Sequence, residues 1–278
     1  MNADGRRIVA RLMIAICLGV AVAAAAADVP YEPTVGQAGK DVIWVPTPDT
    51  MVEKMLDVAA VTSQDFVMDL GSGDGRNIIG AAKRGARGIG VEYNPQLVDY
   101  ARKRAVAAGV ADRAQFIEGD MYAADVSPAS VLMLFLIPDN LRKLMPKILA
   151  MKAGTRVVSN TYEFPVWSAE KAETVRDCPA FCIVFLYVVP AKVAGVWRMP
   201  DGELTLEQDF QRVGGSYDFS GIDLPLENGR LYGADIRFTV NGIEYSGNID
   251  GDVMRGTAKG RNGTHAWTAA RVRDDVPQ

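Results

Sequence analysis

The sequence has few of the side chains that most often bind transition metals or serve in histidine-dependent catalysis. Its 278 residues include one histidine, His265, and three cysteines. So few soft ligands leave little basis for a structural zinc site or a catalytic triad built around histidine. We therefore expect no metal site, and we interpret His265 as a surface or strand residue.

A broad excess of positive charge is also missing. Thirty Lys and Arg residues stand against thirty-four Asp and Glu, so the formal net charge is −4. This charge provides no basic field to hold a nucleic-acid backbone, and we expect no nucleic-acid partner. The content of 49% hydrophobic and 23% charged residues is typical of a globular protein with one or two folded domains.

The N-terminal segment has the pattern of an export signal. Three arginines within the first eleven residues precede an uncharged apolar run from Leu12 to Ala27, which ends in an alanine tract. This pattern predicts a signal peptide over residues 1–27 and an exported, periplasmic protein with no stable membrane insertion after cleavage. The alternative is an uncleaved membrane anchor, because Ile8 to Ala27 is nearly long enough to span a bilayer.

Two cysteines, Cys178 and Cys182, would remain after removal of that signal. In an oxidising compartment they can form a disulfide if the local backbone allows it. Their separation in sequence does not by itself provide the Cα distance that a disulfide needs. We favour the interpretation that they are two small buried thiols beside a strand.

Residues 41–190 alternate short apolar runs with amphipathic helical stretches. This alternation predicts an α/β domain with a doubly wound, Rossmann-like sheet covered by helices. The clearest helix is Pro95 to Ala108, which Asn94 can cap and which Gly109 ends. The predicted strands are Phe66–Leu70, Gly88–Val91, Ala114–Glu118, Val131–Leu136, Arg156–Asn160 and Phe181–Val189.

The pattern changes after about Pro190, where glycines recur and no helical periodicity remains. We expect a separate, small antiparallel all-β domain over residues 191–273, folded as a barrel or a curled sheet. One long strand is expected at Glu203–Val213. Asn241-Gly242 and Asp250-Gly251 are predicted hairpin turns, because both pairs tolerate the positive φ angles of tight turns.

The most informative segment is DLGSGDGR, Asp69 to Arg76, which lies between a predicted strand and the helical run Asn77–Lys83. Its three glycines allow a sharp turn and a close approach to a ligand. The carboxylate of Asp69 would repel the pyrophosphate of a dinucleotide. It would instead favour the positive sulfonium and ammonium groups of S-adenosylmethionine. The spacing GxGxG, in place of GxGxxG, also argues against an NAD-binding loop.

Two further carboxylates follow the next two predicted strands. Glu92 can accept hydrogen bonds from both hydroxyl groups of a ribose. Asp120 can accept a hydrogen bond from an adenine amino group, with Met121 against the ring. Three successive strands thus end in acidic residues, a joint pattern that favours a nucleoside cofactor.

The segments DLGSGDGR, GVEYNP and EGDMY together resemble the cofactor-binding core of class I S-adenosylmethionine-dependent methyltransferases. The stretch from VPTP at Val45 to FPVW at Phe164 resembles, more narrowly, the small lysine methyltransferases of the mitochondrial ATP-synthase c-subunit and adenine-nucleotide-translocase group. The resemblance covers roughly residues 41–180, and nothing in residues 191–278 belongs to its pattern. It implies methyl transfer from S-adenosylmethionine to a protein lysine.

The resemblance also implies roles for individual residues in binding S-adenosylmethionine. Asp69 would hold its ammonium group, Glu92 its ribose and Asp120 its adenine. Thr47 would close over the cofactor from the N-terminal side, although VPTP can equally be an ordinary turn before the helix Thr50–Ala59. The loop residues Gly71, Ser72, Gly73 and Gly75 would line the methionine end.

The residues that would bind the methyl acceptor are less clearly indicated by the sequence. The fourth strand ends in LFLIPDN, where amine methyltransferases often carry a polar-Pro-Pro-aromatic loop, and this segment is apolar until Pro138. Asp139 and Asn140 are the nearest catalytic candidates, with Tyr162 and Glu163 as rivals. Each can equally be a surface residue or a helix cap, as for Asp139 before a helix at Leu141–Met151.

Three aromatic residues, Phe135, Phe164 and Trp167, can form an apolar wall for a lysine side chain or can belong to the core. The leading hypothesis is an exported enzyme that methylates a protein lysine. A non-catalytic envelope protein, which binds an adenosyl ligand and uses its β domain for recognition, is the alternative. An NAD-dependent oxidoreductase is a more distant third.

Overall fold

The structure is a computed structural model that describes residues 31–176 and 178–273. The expected export signal at residues 1–27 lies outside the described residues. In the described part of the chain, no helix combines the length and the hydrophobicity needed to cross a bilayer.

The first part of the chain forms a seven-stranded sheet with helices packed against it. The strand order is β3-β2-β1-β4-β5-β7-β6, in which β1 to β5 run parallel and β7 runs antiparallel to both of its neighbours. The direction of strand order reverses between β1 and β4, and such a switch point opens a crevice at the carboxyl ends of the strands. The elements are α1 (Asp49–Val58), β1 (Phe66–Leu70), α2 (Arg76–Lys83), β2 (Arg87–Glu92), α3 (Pro95–Ala107), β3 (Ala114–Glu118), β4 (Val131–Leu134), α4 (Pro138–Leu149), β5 (Arg156–Asn160), β6 (Lys171–Thr174) and β7 (Ile183–Val188).

The second part of the chain is a closed antiparallel barrel of eight strands. The barrel closes where β15 pairs with β8, at Arg271 and Trp197. Large apolar side chains such as Trp197, Phe238 and Trp267 fill its buried core. The strands are β8 (Gly195–Met199), β9 (Gly202–Asp209), β10 (Arg212–Phe219), β11 (Ile222–Tyr232), β12 (Asp235–Val240), β13 (Ile243–Asp250), β14 (Val253–Gly260) and β15 (Gly263–Arg271).

The predicted α/β sheet and the all-β second part are confirmed, with differences in detail. The single long strand expected at Glu203–Val213 is wrong, because the chain turns at Phe210, whose φ is 52°. Strand β6 was not predicted from the sequence because its side chains are mostly exposed and give no hydrophobic signal. Asn241 and Gly242 form a hairpin turn as expected, with φ values of 47° and 75°.

Helix α3 could be predicted from the sequence because its N-cap, its first-turn proline and its apolar stripe are all local features. The side chain of Asn94 accepts a hydrogen bond from the Gln96 backbone N–H at 2.9 Å, and Pro95 occupies the first turn. The buried face of the helix consists of Leu97, Val98, Ala101 and Ala105. This apolar stripe packs the helix against the sheet, and Gly109 at φ 69° follows its end.

Cys178 and Cys182 form a disulfide bond, so the favoured interpretation of two free thiols is wrong. Their Cα atoms are 5.7 Å apart, which lies within the range that disulfides require. The segment between them is not helical, and its turn brings the two side chains together. The bond closes a short loop immediately before β7.

Phe164 and Trp167 belong to the core, which settles the alternative left open by the sequence. Both are at least 97% buried. The ring of Trp167 lies 4.9 Å from that of Tyr187 in the sheet and 6.2 Å from that of Phe210 in the barrel. Its Nε1–H donates to Oε1 of buried Gln211 at 3.1 Å. Trp167 therefore joins the sheet to the barrel.

We expect Trp167→Ala to lower the free energy of unfolding by about 3–5 kcal/mol, because a large buried ring and the contact between the two parts of the chain are lost together. Urea unfolding followed by circular dichroism measures this change. The control is Phe219→Ala, since Phe219 is exposed on the barrel and its replacement should change the stability by less than about 1 kcal/mol. An equally small loss for Trp167→Ala would contradict the structural role assigned to this ring.

Candidate cofactor site

A cleft lies at the carboxyl ends of β1, β2, β3 and β4. About 860 Å³ of space not filled by atoms lies within the cleft and its open mouth. Eight of the nine residues predicted to bind the cofactor line it: Thr47, Asp69, Gly71, Ser72, Gly73, Glu92, Asp120 and Met121. The structure thus brings together residues that are spread over more than seventy positions of the sequence.

Gly75 is the ninth predicted residue and does not line the cleft. It is the N-cap of α2, with φ at 80°. A Cβ atom there would lie 2.6 Å from the ring of Phe116 and 2.9 Å from the Cβ of Ala101. Its glycine is therefore required for helix packing and for a left-handed backbone rather than for contact with a ligand.

The glycine loop is held against β2 by its own backbone. The N–H groups of Gly71 and Ser72 both donate to the carbonyl oxygen of Val91, at 2.8 and 3.0 Å. Gly71 and Gly73 have φ values of 77° and 53°, which disfavour any residue with a Cβ atom. At Gly73 that atom would also lie 2.5 Å from Nε1 of Trp44. The loop is thus a tight turn covered by an indole ring.

Asp69 is a buried carboxyl group at the end of β1, with 2% of its surface exposed. Burial raises its pKa to about 7; a hydrogen bond from Asn77 opposes this shift, and the nearby charges of Glu92 and Asp74 add to it. Nδ2 of Asn77 donates that hydrogen bond at 3.0 Å. Among the described residues no lysine or arginine forms an ion pair with Asp69, so the site favours a cation.

Two buried side-chain oxygen atoms of residues near the end of β1 have no hydrogen-bond partner within the described part of the chain. They are Oγ of Ser72 and Oδ1 of Asn77, both from residues that line the cleft. Buried polar atoms are usually satisfied, and atoms without a partner indicate a missing ligand or water. A cationic or hydroxyl-bearing group fits here, and these oxygen acceptors suit the ammonium end of S-adenosylmethionine.

Glu92 lies at the end of β2, and each of its carboxylate oxygens accepts one backbone hydrogen bond. Oε2 accepts from the N–H of Gly73 and Oε1 from the N–H of Asn94, both at 2.9 Å. These bonds fix the carboxylate in the cleft. Each oxygen retains a lone pair that can accept a hydroxyl proton, as the predicted ribose contact requires.

Asp120 is engaged by the protein itself. Its Oδ2 pairs with Nζ of Lys40 at 2.7 Å, and its Oδ1 accepts from the N–H of Tyr122 at 2.9 Å. The hydrogen bond from Lys40 lowers the pKa of Asp120, and the bond from Tyr122 adds to this effect. The predicted contact with an adenine amino group must therefore use a remaining lone pair or displace Lys40.

Lys40 belongs to a segment that we call the N-terminal strap, residues 36–47. The strap is closed on itself by backbone hydrogen bonds, from Gly36 N to Trp44 O and from Trp44 N to Gln37 O, both 2.9 Å. It contributes Lys40, Trp44 and Thr47 to the cleft. The sequence indicated only its VPTP end, because the residues before it show no periodicity.

Asp74 was not predicted from the sequence. This carboxylate is 4% exposed and is neutralised by Arg76 and Arg104, whose Nη atoms lie 2.6 and 2.5 Å from its Oδ2. Arg76 also donates to the carbonyl oxygen of Thr47 at 2.6 Å. The cluster links α2, α3 and the strap. In the sequence, this cluster is indicated only by the neighbouring acidic and basic residues of the DGR segment.

The catalytic candidates lie in different surroundings. The Asp139 side chain is 72% exposed and pairs with Arg142 at 2.5 Å, outside the cleft lining. Its suggested role as a helix cap is wrong, because α4 begins at Pro138 and its N-cap is Ile137. Asn140 is buried in the first turn of α4, and its Nδ2 has no partner within the described residues. Glu163 is exposed.

Tyr162 lies near the cleft through an aromatic neighbour. Its ring centroid is 6.4 Å from that of Phe135, and the two rings are inclined by 20°. Phe135 follows β4 and lines the cleft. Tyr162 thus contacts a cleft residue through its side chain. Its partner Phe135 is also the one member of the expected aromatic wall that is not part of the core.

Comparison with known proteins gives consistent matches to methyltransferases. The model of the ANTKMT methyltransferase domain family matches residues 69–171. A protein-lysine N-methyltransferase from Saccharolobus islandicus is 38% identical over 149 residues, which cover 52% of this chain and 92% of that protein. The lysine N-methyltransferase of the ATP-synthase c-subunit from Mus musculus is 38% identical over 105 residues, 37% of this chain and 42% of its own length.

A solved structure is similar in both sequence and fold. It is described as an RNA methyltransferase from Salinibacter ruber in complex with S-adenosyl-L-homocysteine. It is 40% identical, with a TM-score of 0.51, and the match covers 54% of this chain and 96% of that one. The family match begins at Asp69 and includes the glycine loop, Glu92 and Asp120 of the cleft. The chain belongs to the ANTKMT methyltransferase family of S-adenosylmethionine-dependent class I methyltransferases.

Proposed function

We propose that the protein transfers a methyl group from S-adenosylmethionine to a lysine side chain of a protein substrate. The single observation that carries the proposal is the cleft at the switch point of the sheet, where buried Asp69 and two unpartnered oxygens favour a cation. The family assignment supplies the cofactor. The names of the Saccharolobus and mouse relatives support lysine as the acceptor.

Within this proposal, Asp69, Ser72 and Asn77 hold the amino-acid end of S-adenosylmethionine. Gly71 and Gly73 allow its close approach to the backbone. Glu92, fixed by two backbone N–H groups, accepts from the ribose hydroxyls. The adenine end lies toward Asp120 and Met121, and Thr47, Trp44 and Lys40 of the strap cover the cleft.

When bound, S-adenosylmethionine would supply an electrophilic methyl carbon. A lysine amine that has first released its proton to solvent would bond to this carbon as the carbon–sulfur bond breaks, which leaves S-adenosylhomocysteine and a methylated ammonium. The task of the protein is to align these groups and to exclude water. Phe135 and Leu136 of the apolar LFLIP segment line the cleft on this side. Apolar surroundings favour the neutral form of an amine, because burial disfavours its charge.

Methylation of RNA is a second candidate function, which the name of the Salinibacter structure favours. The charge of this chain argues against it. Five carboxylates and two cationic side chains, Lys40 and Arg76, line the cleft. The net charge of the whole chain is −4. A phosphate backbone that approached this mouth would meet a negative field, and a protein substrate is therefore the better-supported acceptor.

We expect the purified protein to transfer label from methyl-labelled S-adenosylmethionine to protein in an envelope extract of the source cells. After acid hydrolysis the label should be recovered as methylated lysine. Gly73→Val should abolish the transfer, because its side chain would displace Trp44 and strain the loop. Val106→Ala, at an exposed helix position, is the control. Label in the RNA of the extract, and none in lysine, would instead establish the second candidate.

We expect the affinity for S-adenosylhomocysteine, which carries the same ammonium group, to depend on pH through Asp69. Below its pKa of about 7 the carboxyl group is protonated. A cationic ligand prefers the ionised form, so affinity should rise by up to about tenfold per unit as the pH increases toward 7, and then level off. Calorimetry from about pH 5 to about pH 8, below the titration of most amines, measures this dependence.

Asp69→Asn should remove that pH dependence and weaken binding by about 30-fold or more at neutral pH, because the charge partner of the ligand is lost. The amide is isosteric and uncharged, so the melting temperature should not fall. The control is Asp99→Asn, whose carboxylate lies on the exposed face of α3. A flat pH profile in the unmodified protein would contradict the assignment of Asp69.

The location of the protein is proposed from the sequence and from one feature of the fold. The arginine-rich and apolar start of the chain favours export, and the Cys178–Cys182 disulfide is consistent with an oxidising compartment. The protein is thus periplasmic, with a membrane-anchored form of the same chain as the alternative.

Fractionation of cells that produce the protein with a C-terminal tag tests this location. We expect the tagged chain in the periplasmic fraction, shortened by about the length of a signal peptide. A full-length chain in the membrane fraction would favour the anchored form. A reduced, full-length chain in the cytoplasm would contradict export.

A further inference from the structure

Three half-buried aromatic rings meet on the acceptor side of the cleft: Phe135, Tyr162 and Phe181. We call them the aromatic triad. Phe135 lies at the centre, because its ring contacts that of Phe181 edge-on at 5.0 Å and that of Tyr162 at 6.4 Å. Phe135 also lines the cofactor cleft. The triad is therefore continuous with the site where the methyl group must be delivered.

The backbone that carries two of these rings is strained. Phe181 has a φ of 61°, and Thr161, which precedes Tyr162, has a φ of 67°. Residues with a Cβ atom rarely adopt this conformation, and a β-branched threonine is among the least suited to it. Thr161 donates its N–H to the carbonyl of Ile183 at 2.7 Å, so it lies opposite a residue that follows Phe181 by two positions. Such strain is common at functional sites.

A buried polar atom without a partner lies next to this strained position. Asn160 ends β5 and is fully buried, and within the described residues its Nδ2 has no hydrogen-bond acceptor. Its Oδ1 accepts from the hydroxyl of Thr161 at 3.0 Å. A buried amide donor with no acceptor is unusual and is consistent with a polar group of a ligand nearby.

The Cys178–Cys182 disulfide holds the loop that carries Phe181. Phe181 lies inside the five-residue segment that the bond closes, immediately before Cys182 and β7. A covalent closure on both sides limits the backbone angles available to the segment. The left-handed Phe181, whose ring contacts Phe135, thus lies within the loop that the disulfide closes.

The chemistry of these rings matches one kind of acceptor. A lysine side chain has a long apolar stem, which aromatic faces bury well, and a terminal ammonium, which they attract through cation–π interaction. The LFLIP segment after β4 provides no side chain that would bind an amine by hydrogen bonds. The rings are then the groups through which the acceptor side can recognise lysine.

We propose that the aromatic triad receives the side chain of the substrate lysine and that the Cys178–Cys182 disulfide positions Phe181 within it. This inference rests on the proposed lysine methyltransferase function and adds to it the acceptor subsite. Phe135, Tyr162 and Phe181 bury the stem and attract the incoming ammonium group, which releases its proton to solvent before the methyl group is transferred. The two cysteines are positioning residues that act through Phe181.

The test is Phe181→Gly in the full chain. Glycine suits a φ of 61°, so we expect the melting temperature to stay within a few degrees of the original or to rise. We expect the affinity for S-adenosylhomocysteine to change less than about twofold. Transfer of labelled methyl to lysine in the envelope extract should fall at least about tenfold. Phe219→Ala, at an exposed barrel position, should retain the original rate.

The double variant Cys178→Ser/Cys182→Ser tests the positioning role. It should lower lysine methylation to a similar extent, with the affinity for S-adenosylhomocysteine unchanged. Adding Phe181→Gly to this variant should cause little further loss, because residues that act through one group are not additive. A full multiplicative loss in the triple variant would show that the disulfide acts independently of Phe181 and would overturn the positioning role.

The outcomes separate this inference from the function on which it rests. If the unmodified protein labels lysine and Phe181→Gly does so at the same rate, the aromatic subsite is wrong and the proposed function stands. If Phe181→Gly loses cofactor affinity in parallel with its rate, the ring belongs to the cofactor site and the subsite is also wrong. If the unmodified protein labels no lysine, the proposed function fails and the subsite fails with it.

Discussion

Among the described residues of the α/β part, three aspartates are buried, and one of them differs from the others in its partners. Asp65 pairs with Arg156, and Asp74 pairs with Arg76 and Arg104. Asp69 is at least as deeply buried and has the amide of Asn77 as its hydrogen-bond partner. A buried carboxylate that lacks a cation is costly in the folded state, and its pKa shifts upward as a result. In the proposed function, the ammonium group of S-adenosylmethionine supplies the positive charge that Asp69 lacks.

The geometry of the glycine loop fits the binding of a cation at Asp69. A cation reaches Asp69 only if the backbone after β1 leaves room, and glycines at positive φ provide that room at Gly71 and Gly73. The strap then covers the space beside the glycine loop. Arg76 holds the strap through the carbonyl of Thr47 while its other nitrogens neutralise Asp74. One arginine thus links the cover of the cleft to the helix that starts at the loop.

The sequence predicted those parts of the site whose residues are close together along the chain. A strand, a glycine turn and a terminal carboxylate are neighbours along the chain, so Asp69 and Glu92 could be predicted from pattern alone. Asp74 was missed because its partner Arg104 lies thirty residues away, and a charged residue next to an arginine looks like ordinary surface. The disulfide was missed because it depends on a non-helical turn between Cys178 and Cys182. The triad was missed because Phe181 joins Phe135 only through the antiparallel return of β7.

The segment between β5 and β7 connects the catalytic part of the chain to the barrel. Its middle is fixed to the barrel by Trp167, by the bond from Gln211 to Ser168, and by the pair of Glu170 with Arg230 at 2.5 Å. Its two ends carry Tyr162 and Phe181, which meet at Phe135 beside the cleft. A segment that is fixed in its middle and closed by a disulfide near one end has little conformational freedom at its ends. The barrel therefore limits the positions of Tyr162 and Phe181, although none of its described residues lines the cofactor cleft. The all-β part of the chain lies outside the matched family segment. If the proposed acceptor subsite is correct, this part bears on the placement of the acceptor and not on the binding of the methyl donor.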